Sequence, residues 1–380
     1  MRLFYLSKVT PLFFLLALTN LLIGFFLKIS SQDYIHYGFV FVFGFIAITI
    51  IGAMYQIIPN SQQRQLYLPN LSYISFLLGV ILSILLVFQS YKLASIVFFV
   101  LVVLFSAHVL PVLKNVKPIT IKFLTASLVY MFLSSIVFLL TNFFQIPLQA
   151  VIHTFTVGAM INAVFGVEFA WIPMFYMQTV NTKRGNFIFW LNQLSVIFIL
   201  ISFLTLNYKL ISFAVLLQIL VTVLFLWFVI DTVKRGKALT GIPYAVKFFS
   251  AGLSFLLGGL VVAFFVSFTK NHILIDFHID FMILGFGVFT ITGGMLHLTP
   301  RILWNIVYVK KAQQGKQVPQ VNMVIPKNKA ERFFSLLFLS FIIGLLTEGF
   351  GFTYGWALFY FVFIFYSIYF VYKLAVFTKI

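Results

Sequence analysis

Residues 285–300, GFGVFTITGGMLHLTP, lie in an apolar run of helical length and contain a skeleton of two glycines and a proline, Gly285, Gly293 and Pro300. Seven residues separate the two glycines, and six separate the second glycine from the proline. The same skeleton occurs at 44–59, GFIAITIIGAMYQIIP, and at 158–173, GAMINAVFGVEFAWIP. Internal self-similarity of this kind indicates a chain built from repeated structural units. The repeat therefore predicts three equivalent segments, each containing one such helix.

The composition predicts an integral membrane protein. The 380 residues are 62% hydrophobic and only 8% charged, which is more apolar surface than one aqueous core can bury. Apolar runs of about 20 residues, the length that crosses a hydrocarbon core, are centred near Leu18, Ile46, Leu78, Val102, Phe132, Val164, Phe198, Val221, Phe255, Phe286, Phe341 and Phe365. The predicted fold class is all-α, a polytopic membrane protein with twelve transmembrane helices.

The three copies of the skeleton fall on predicted helices 2, 6 and 10, so the period of the repeat is four helices. This period predicts three four-helix arcs with pseudo-threefold symmetry, within a single membrane domain. The arcs cover about residues 1–115, 116–238 and 239–380. The polar segment 301–332 is expected to form a cytoplasmic loop.

The basic residues predict the orientation. One side of the predicted spans has only Lys28, Lys92, Lys209 and Lys270, and the other side has the remaining lysines and arginines. Because basic loops stay in the cytoplasm, we expect both termini to be cytoplasmic, in a bacterial cytoplasmic (inner) membrane. The same asymmetry explains the net charge of +18 without a nucleic-acid surface.

Each copy of the skeleton is preceded by a histidine, at His36, His153 and His278. Packing alone explains the glycines and prolines, because small residues let membrane helices approach closely and a proline can stop a span. An ionisable histidine in an apolar segment is costly and usually faces the bundle interior. The orientation puts all three imidazoles at one depth in the outer third of the membrane. A neutral imidazole is the commonest protein ligand of haem iron, so the three histidines are candidate haem ligands. The alternative is that they only bind water or headgroups.

These residues resemble subunit I of the haem-copper oxidases and nitric oxide reductases, which also has twelve helices in three arcs. In helix 10, His278, Asp280 and the stretch 292–300, TGGMLHLTP, are similar to the family's H-x-H helix ending in G-G-x-x-H-x-x-P. The resemblance implies that His36 binds a low-spin haem and that His278 binds a high-spin haem. Asp280 stands where the family has its second histidine, so it is a candidate cofactor residue in a low-spin site that lacks one imidazole.

The copper site of that family is incomplete here. His153 resembles the family's helix-6 ligand of copper or non-haem iron, but the family's tyrosine four residues on is Val157, and helix 7 has no histidine. A copper ion needs roughly three nitrogen ligands, so one imidazole would hold it weakly. The resemblance implies a haem, of b type, without a complete copper site or an oxygen-reducing centre.

Glu168 is an acidic residue deep in helix 6. An intramembrane carboxylate is by default a functional candidate, and the resemblance implies a need for groups that conduct protons from the cytoplasm. Glu168 is therefore a candidate for a proton path. The equally weighted alternative is a neutral acid bonded to a neighbouring helix.

A second resemblance is to the nitric-oxide-response family NnrS, a haem-and-copper membrane protein. The segment 153–159, HTFTVGA, is similar to that family's H-x-x-T-x-G-A stretch, and 52–60, GAMYQIIPN, resembles its G-x6-P-N. Both matching segments lie in the repeat-bearing helices 2 and 6.

Three functional classes follow. The first is a divergent, subunit-I-like haem protein in respiratory electron transfer or in the response to nitric oxide or oxygen, with other respiratory subunits or a cytochrome electron donor as expected partners. The second is an active terminal oxidase or nitric oxide reductase whose missing ligands come from elsewhere. The third is a secondary transporter, which predicts a polar site near mid-membrane.

Overall fold

The computed structural model describes residues 5–31, 33–238 and 242–379, and every regular element in these ranges is helical. The long helices of the described ranges are α1 (Thr10–Ser31), α2 (Tyr34–Ser61), α3 (Leu71–Val87), α4 (Tyr91–Val109), α5 (Ile119–Leu140), α6 (Leu148–Phe175), α7 (Thr182–Leu204), α8 (Tyr208–Arg235), α9 (Tyr244–Thr269), α10 (His272–Gln313), α11 (Lys327–Gly349) and α12 (Trp356–Lys379). Eleven are long and apolar enough to cross a membrane, and α3 is a shorter apolar helix. The predictions of an all-α fold and of a multi-pass membrane protein are confirmed.

Most connections between consecutive helices are short, so neighbouring helices run in opposite directions. Helices α2, α6 and α10 therefore begin at one end of the bundle, which we call the histidine end, and α1 and α11 finish there. Large apolar side chains such as Trp190, Phe265 and Phe361 are exposed on the outside, where lipid tails would contact them. The expected start of the third arc, residue 239, lies outside the described residues.

The three repeat-bearing helices share an irregular backbone. Each contains a π-helical segment, Val40–Ala47 in α2, Thr154–Met160 in α6 and Phe281–Gly287 in α10. Each π segment follows the histidine of its copy and contains the first glycine of the skeleton. π-Helical turns are rare and occur frequently at functional sites. The sequence repeat is thus also a repeat of local backbone structure.

The second glycine of each copy lies against a phenylalanine of the preceding helix. The pairs are Gly52 with Phe13 in α1, Gly166 with Phe123 in α5, and Gly293 with Phe248 in α9. A Cβ atom on Gly293 would lie 2.8 Å from Cβ of Phe248, whereas carbon atoms prefer a separation of about 3.5–4.0 Å. The glycines therefore let each repeat-bearing helix approach its predecessor closely, as the packing explanation predicts.

The prolines do not end their helices. Pro59, Pro173 and Pro300 lie inside α2, α6 and α10. In α10, Pro300 leaves the carbonyl of Leu296 without its helical donor, and the Tyr244 hydroxyl donates a hydrogen bond to that carbonyl at 3.3 Å. Substitute partners of this kind allow a membrane helix to continue past a proline.

The connection after α10 is consequently shorter than the expected loop 301–332. Helix α10 continues to Gln313 and α11 begins at Lys327. Only residues 314–326 lie between the two helices, and they include the short 3₁₀ turn Val321–Met323. The polar composition of this segment predicts a loop, but its first part is the end of a helix that extends beyond the apolar span, and its last part is the start of α11.

A buried amide network joins α6 to α7 and α8. The side-chain nitrogen of Asn162 donates to the carbonyl of Gly158 in the π segment at 2.6 Å. The side-chain oxygen of Asn162 accepts from Asn192 at 3.2 Å and from Gln193 at 2.8 Å, and Gln218 donates to Asn192 at 3.2 Å. Interhelical hydrogen bonds of this type hold membrane helices together.

Gly293→Ala is expected to lower the melting temperature of the detergent-solubilised protein, because the added methyl group overlaps Phe248 and overpacking costs about 1–3 kcal/mol. Gly294→Ala is the matched control, since a Cβ atom there would lie 3.8 Å from Trp171, which is an ordinary contact. Thermal unfolding followed by circular dichroism compares the two variants. Equal melting temperatures would contradict the close approach of α9 and α10.

Candidate functional site

The three repeat-bearing helices converge in the middle of the bundle. A Cβ atom on Gly287 of α10 would lie 3.5 Å from the Met160 side chain of α6 and 3.6 Å from the Ile46 side chain of α2. Each of these residues stands two positions after the first glycine of its copy. Equivalent positions of the repeat therefore face one another at one point.

The same three helices surround a cavity of about 80 Å³. The cavity lies between the contact at Gly287 and the prolines of the three copies. Its wall consists of equivalent positions from the three copies and from the helix before each copy: Phe14, Thr49, Ile50, Ala53, Met54 and Ile57; Leu124, Ala163, Val164, Val167, Glu168 and Trp171; Phe249, Thr290, Ile291, Gly294, Met295 and Leu298. The volume allows a few water molecules but is far below the roughly 300–1,000 Å³ of small-molecule pockets. A haem does not fit in this cavity.

Glu168 gives the cavity its one acidic side chain. The residue is 0% exposed, and no donor among the described residues reaches either carboxylate oxygen. The equivalent positions in the other two copies are Met54 and Met295. Across the wall, the buried Thr290 hydroxyl is also without a hydrogen-bond partner in the described structure. An ionised carboxylate here would be uncompensated, so Glu168 is suited to carry a proton.

His153 and His278 lie next to each other at the histidine end. Their ring centroids are 6.3 Å apart and their ring planes are inclined by 2°. The Nδ1–H of His153 donates to the carbonyl of Gln149 at 2.8 Å, and that of His278 donates to the carbonyl of Gly259 at 3.0 Å. A carbonyl can only accept, so these bonds fix the tautomers. They leave Nε2 of each ring without a hydrogen bond in the part of the chain that the structure describes.

The histidine pair, His153 with His278, shares one feature with metal-bound imidazoles. Such imidazoles commonly donate their other N–H to a carbonyl or carboxylate, as both rings do. The ring planes are nearly parallel and the centroids are 6.3 Å apart, so the two rings are close enough to be considered together as candidate ligands.

The composition of the donor set fits a haem better than a bare ion. The described residues contain no group of three or more histidine, cysteine, aspartate or glutamate side chains that could hold a metal. Two imidazoles are too few for a defined copper site. A haem brings its own equatorial nitrogens and takes axial ligands such as histidine from the protein. Both residues are half-buried.

His36 is placed differently from the other two histidines. Its Nε2–H donates to the carbonyl of Val87 at 3.1 Å, and its Nδ1 accepts from the side-chain amide of Gln89 at 2.9 Å. Both ring nitrogens are therefore engaged at the connection between α3 and α4. The structure leaves neither nitrogen of His36 free for a haem iron.

Asp280 is fully buried and forms an ion pair with Lys28 of α1. The Nζ atom of Lys28 also lies 3.8 Å from Oε1 of Glu348 in α11. The other oxygen of Glu348 accepts a hydrogen bond from the Trp356 indole at 2.8 Å. We call Lys28, Asp280 and Glu348 the charged cluster. Lys28 occupies the Oδ1 atom of Asp280, and no donor among the described residues reaches its Oδ2 atom.

Lys28 and Glu348 are members of the charged cluster that the sequence pattern does not single out. Lys28 is 252 residues from Asp280, and the distribution of basic residues predicts only that it lies on the outer side with three other lysines, whereas 8% of its surface is exposed. The available signal was the scarcity of charge, since the chain has only seven acidic residues.

The fold and these sites define a polytopic, all-helical membrane protein with a paired-histidine site and buried ionisable groups. No protein-family model matches the chain. Over 314 residues the chain is 42% identical to an uncharacterized protein of Aquifex aeolicus (strain VF5), and the match covers 82% of this chain and 83% of that protein. The chain belongs to the same family as that protein.

Lys28→Met is expected to destabilise the protein strongly, because it leaves the buried Asp280 without its partner. Removing one member of a buried ion pair typically costs about 3–5 kcal/mol. The double variant Lys28→Met/Asp280→Asn should recover most of the loss, since neither charge remains. Lys209→Met, at an exposed lysine of the same end, is the control. Thermal unfolding in detergent measures all three, and a double variant as unstable as the single one would exclude the ion pair as the cause.

Glu168→Gln is expected to change stability by less than about 1 kcal/mol, because an amide has nearly the size of a protonated carboxyl and is also neutral. Glu168→Lys should be much less stable, since it places an unpaired charge in the same cavity. The measurement is again the melting temperature in detergent. A large loss in the Gln variant would mean that an ionised Glu168 has a partner in the folded protein.

Proposed function

We propose that the protein is a divergent, subunit-I-like membrane protein that binds a haem, of b type, through His153 and His278. In this proposal it acts in respiratory electron transfer or in the response to nitric oxide or oxygen. The observation that carries the proposal is the histidine pair, with its 6.3 Å ring separation and two anchored Nδ1 atoms. When bound, the haem supplies a one-electron redox centre.

The chain's own residues hold the two ligands in place. The carbonyls of Gln149 and Gly259 orient the rings and make each Nε2 a better donor. Phe203 of α7 stacks on the His153 ring with a centroid separation of 4.0 Å, which restricts rotation of that ring. The ligands thus lie on two rigid helices and are supported by two others, α7 and α9.

The proposal includes a pseudo-threefold arrangement of three four-helix arcs. The three π segments and the equivalent wall positions of the central cavity support it. We further propose a bacterial inner-membrane location with cytoplasmic termini, supported by the distribution of basic residues. The histidine pair then faces the periplasmic side, where a cytochrome or another respiratory subunit could exchange electrons.

We assign Glu168 the role of holding a proton between the histidine pair and the cytoplasmic side. Its support is a fully buried carboxyl group with two unpartnered oxygens beside a cavity that has room for water. The described residues contain no group of three or more side chains that could hold a second metal ion. We therefore propose electron transfer at one iron rather than oxygen reduction at a binuclear centre. A gas would bind to that iron only by displacing one of the two histidines.

The test is a reduced-minus-oxidised absorption spectrum of the protein purified from haem-replete cells. The wild-type protein should show a Soret band, and His153→Ala and His278→Ala should each lose at least about nine-tenths of it, because each change would remove one of the two imidazoles that would hold the haem. Haem content per chain, measured as the pyridine derivative, gives the same comparison independently of the spectrum.

His36→Ala is the matched control, because His36 is the equivalent histidine at the start of the remaining repeat-bearing helix and is buried. It should keep the Soret band. If the band survives in both His153→Ala and His278→Ala but is lost in His36→Ala, the haem ligand is His36, as the family resemblance implies, and the histidine pair is not the site. If the wild-type protein contains no haem, the proposed function is wrong.

A further inference from the structure

Helices α7 and α8 each present one continuous apolar stripe on the outside of the bundle. The exposed side chains recur every three or four residues, which is the spacing of one helical face. The α7 stripe runs from Phe187 through Trp190 to Leu204, and the α8 stripe runs from Phe213 through Trp227 to Ile230. At 1.5 Å per residue each stripe is about 27 Å long, close to the thickness of a hydrocarbon core of about 30 Å. Lipid acyl chains can therefore lie against both stripes.

The two stripes meet at the end of the bundle opposite the histidine end. There the guanidinium carbon of Arg184, three residues before Phe187, lies 4.4 Å from the centre of the Trp227 ring. This cation–π contact joins the start of the α7 stripe to the α8 stripe. Tryptophan is enriched at the boundary between the hydrocarbon core and the headgroups. The contact thus places a cation at the edge of the apolar surface, at headgroup level.

One carboxylate holds two arginines side by side at this edge. The Oδ2 atom of Asp231 accepts a hydrogen bond from Arg184 at 3.1 Å and from Arg235 at 2.8 Å. Each arginine has five N–H donors in a planar fork, of which Arg184 uses one on Asp231 and Arg235 uses two. The other donors have no acceptor in the described part of the chain, and the two side chains are 45% and 50% exposed. Asp231 therefore orients the pair and leaves it open to an outside acceptor.

The charge at this edge is strongly positive. Three further cations, Lys183, Lys234 and Lys237, lie within two residues of an arginine of the pair along the chain and are exposed. Asp231 is the only acidic residue in the sequence of α7 and α8. Five cations thus accompany one carboxylate. Such a basic edge above an apolar surface is complementary to a lipid with an anionic headgroup.

We propose that the surface of α7 and α8 binds one anionic phospholipid, with its headgroup phosphate between Arg184 and Arg235 and its acyl chains along the two stripes. Guanidinium groups bind phosphate oxygens through paired N–H donors, which a lysine ammonium does not offer. A lipid elsewhere on the bundle surface contacts apolar side chains, whereas this lipid also has a built phosphate site. The lipid site is separate from the histidine pair and from the central cavity, and it does not depend on a bound haem.

The position of the arginines favours a lipid over a soluble anion. Phe187 follows Arg184 by less than one helical turn, and Ile230 directly precedes Asp231, so the apolar stripes begin where the charged groups end. A phospholipid supplies a phosphate and apolar chains in one molecule, in the order that a bilayer imposes. Its charge-assisted hydrogen bonds and the burial of its chains against the stripes both contribute to binding.

The test is native mass spectrometry of the purified full-length chain in detergent. Phosphatidylglycerol and phosphatidylcholine with identical acyl chains are added together in equal amounts. The wild-type protein should retain phosphatidylglycerol at least about fivefold more than phosphatidylcholine, because only phosphatidylglycerol has a net negative headgroup. Arg184→Gln/Arg235→Gln should reduce this preference to about one, since the phosphate donors and two positive charges are lost. Circular dichroism and gel filtration establish that the variant is folded.

Arg64→Gln/Arg332→Gln is the matched control. It removes two exposed arginines from the same end of the bundle but from outside α7 and α8, so the net charge changes equally and the preference should be unchanged. Arg184→Lys/Arg235→Lys keeps both charges but lacks the planar forks, and it should lose most of the preference. The comparison of these two variants separates a phosphate site from general attraction between a basic surface and anionic lipids.

Equal retention of the two lipids by the wild-type protein would overturn the proposal, and this comparison requires no variant. An equal loss of preference in Arg64→Gln/Arg332→Gln would overturn it too, as would a lysine double variant that binds like the wild type. Displacement of phosphatidylglycerol by millimolar inorganic phosphate would mean that the arginines bind a free anion, which also contradicts the proposal. The measurement uses no haem signal, so its failure is distinct from failure of the proposed function.

Discussion

A polar group inside a hydrocarbon core must find its partner within the protein, and this constraint organises the whole structure. The Asn162 side chain satisfies this requirement with hydrogen bonds to the Gly158 carbonyl in a π segment and to side-chain amides of α7. The Tyr244 hydroxyl donates a hydrogen bond to the carbonyl that Pro300 leaves without a helical donor. Lys28 and Asp280 satisfy the same requirement by pairing across the bundle. Glu168 lacks a partner in the described structure, which is why it stands out as a functional group.

The sequence was sufficient to predict an all-helical, multi-pass membrane fold. The lengths and positions of the apolar runs predicted the helices, because crossing a bilayer requires a fixed number of apolar residues. The Gly-Gly-Pro spacing identified the three helices that surround the central cavity, since close approach to a phenylalanine such as Phe248 tolerates only glycine. Helix ends were harder to place: a proline or a polar residue marks the limit of the membrane and not of the helix, as α10 shows beyond Pro300.

The candidate site depended on information that the sequence does not contain. The repeat predicted three equivalent histidines, but it could not predict which hydrogen-bond partner each ring nitrogen has. That detail engages His36 with Val87 and Gln89 and leaves His153 and His278 as a pair. Lys28 and Asp280 are far apart along the chain, so their pairing appears only when α1 and α10 are brought together. Long-range pairing of charges is a property of the fold.

The wall of the central cavity has one further consequence. Each of its positions occurs three times, once per copy, so no single copy lines the space alone and its shape is set by all of them. Its chemistry, by contrast, is set wherever one copy differs from the others, as Glu168 does from Met54 and Met295. A replicated scaffold of this kind can acquire or lose a reactive group by one codon change in one copy, while the other two preserve the backbone that surrounds it.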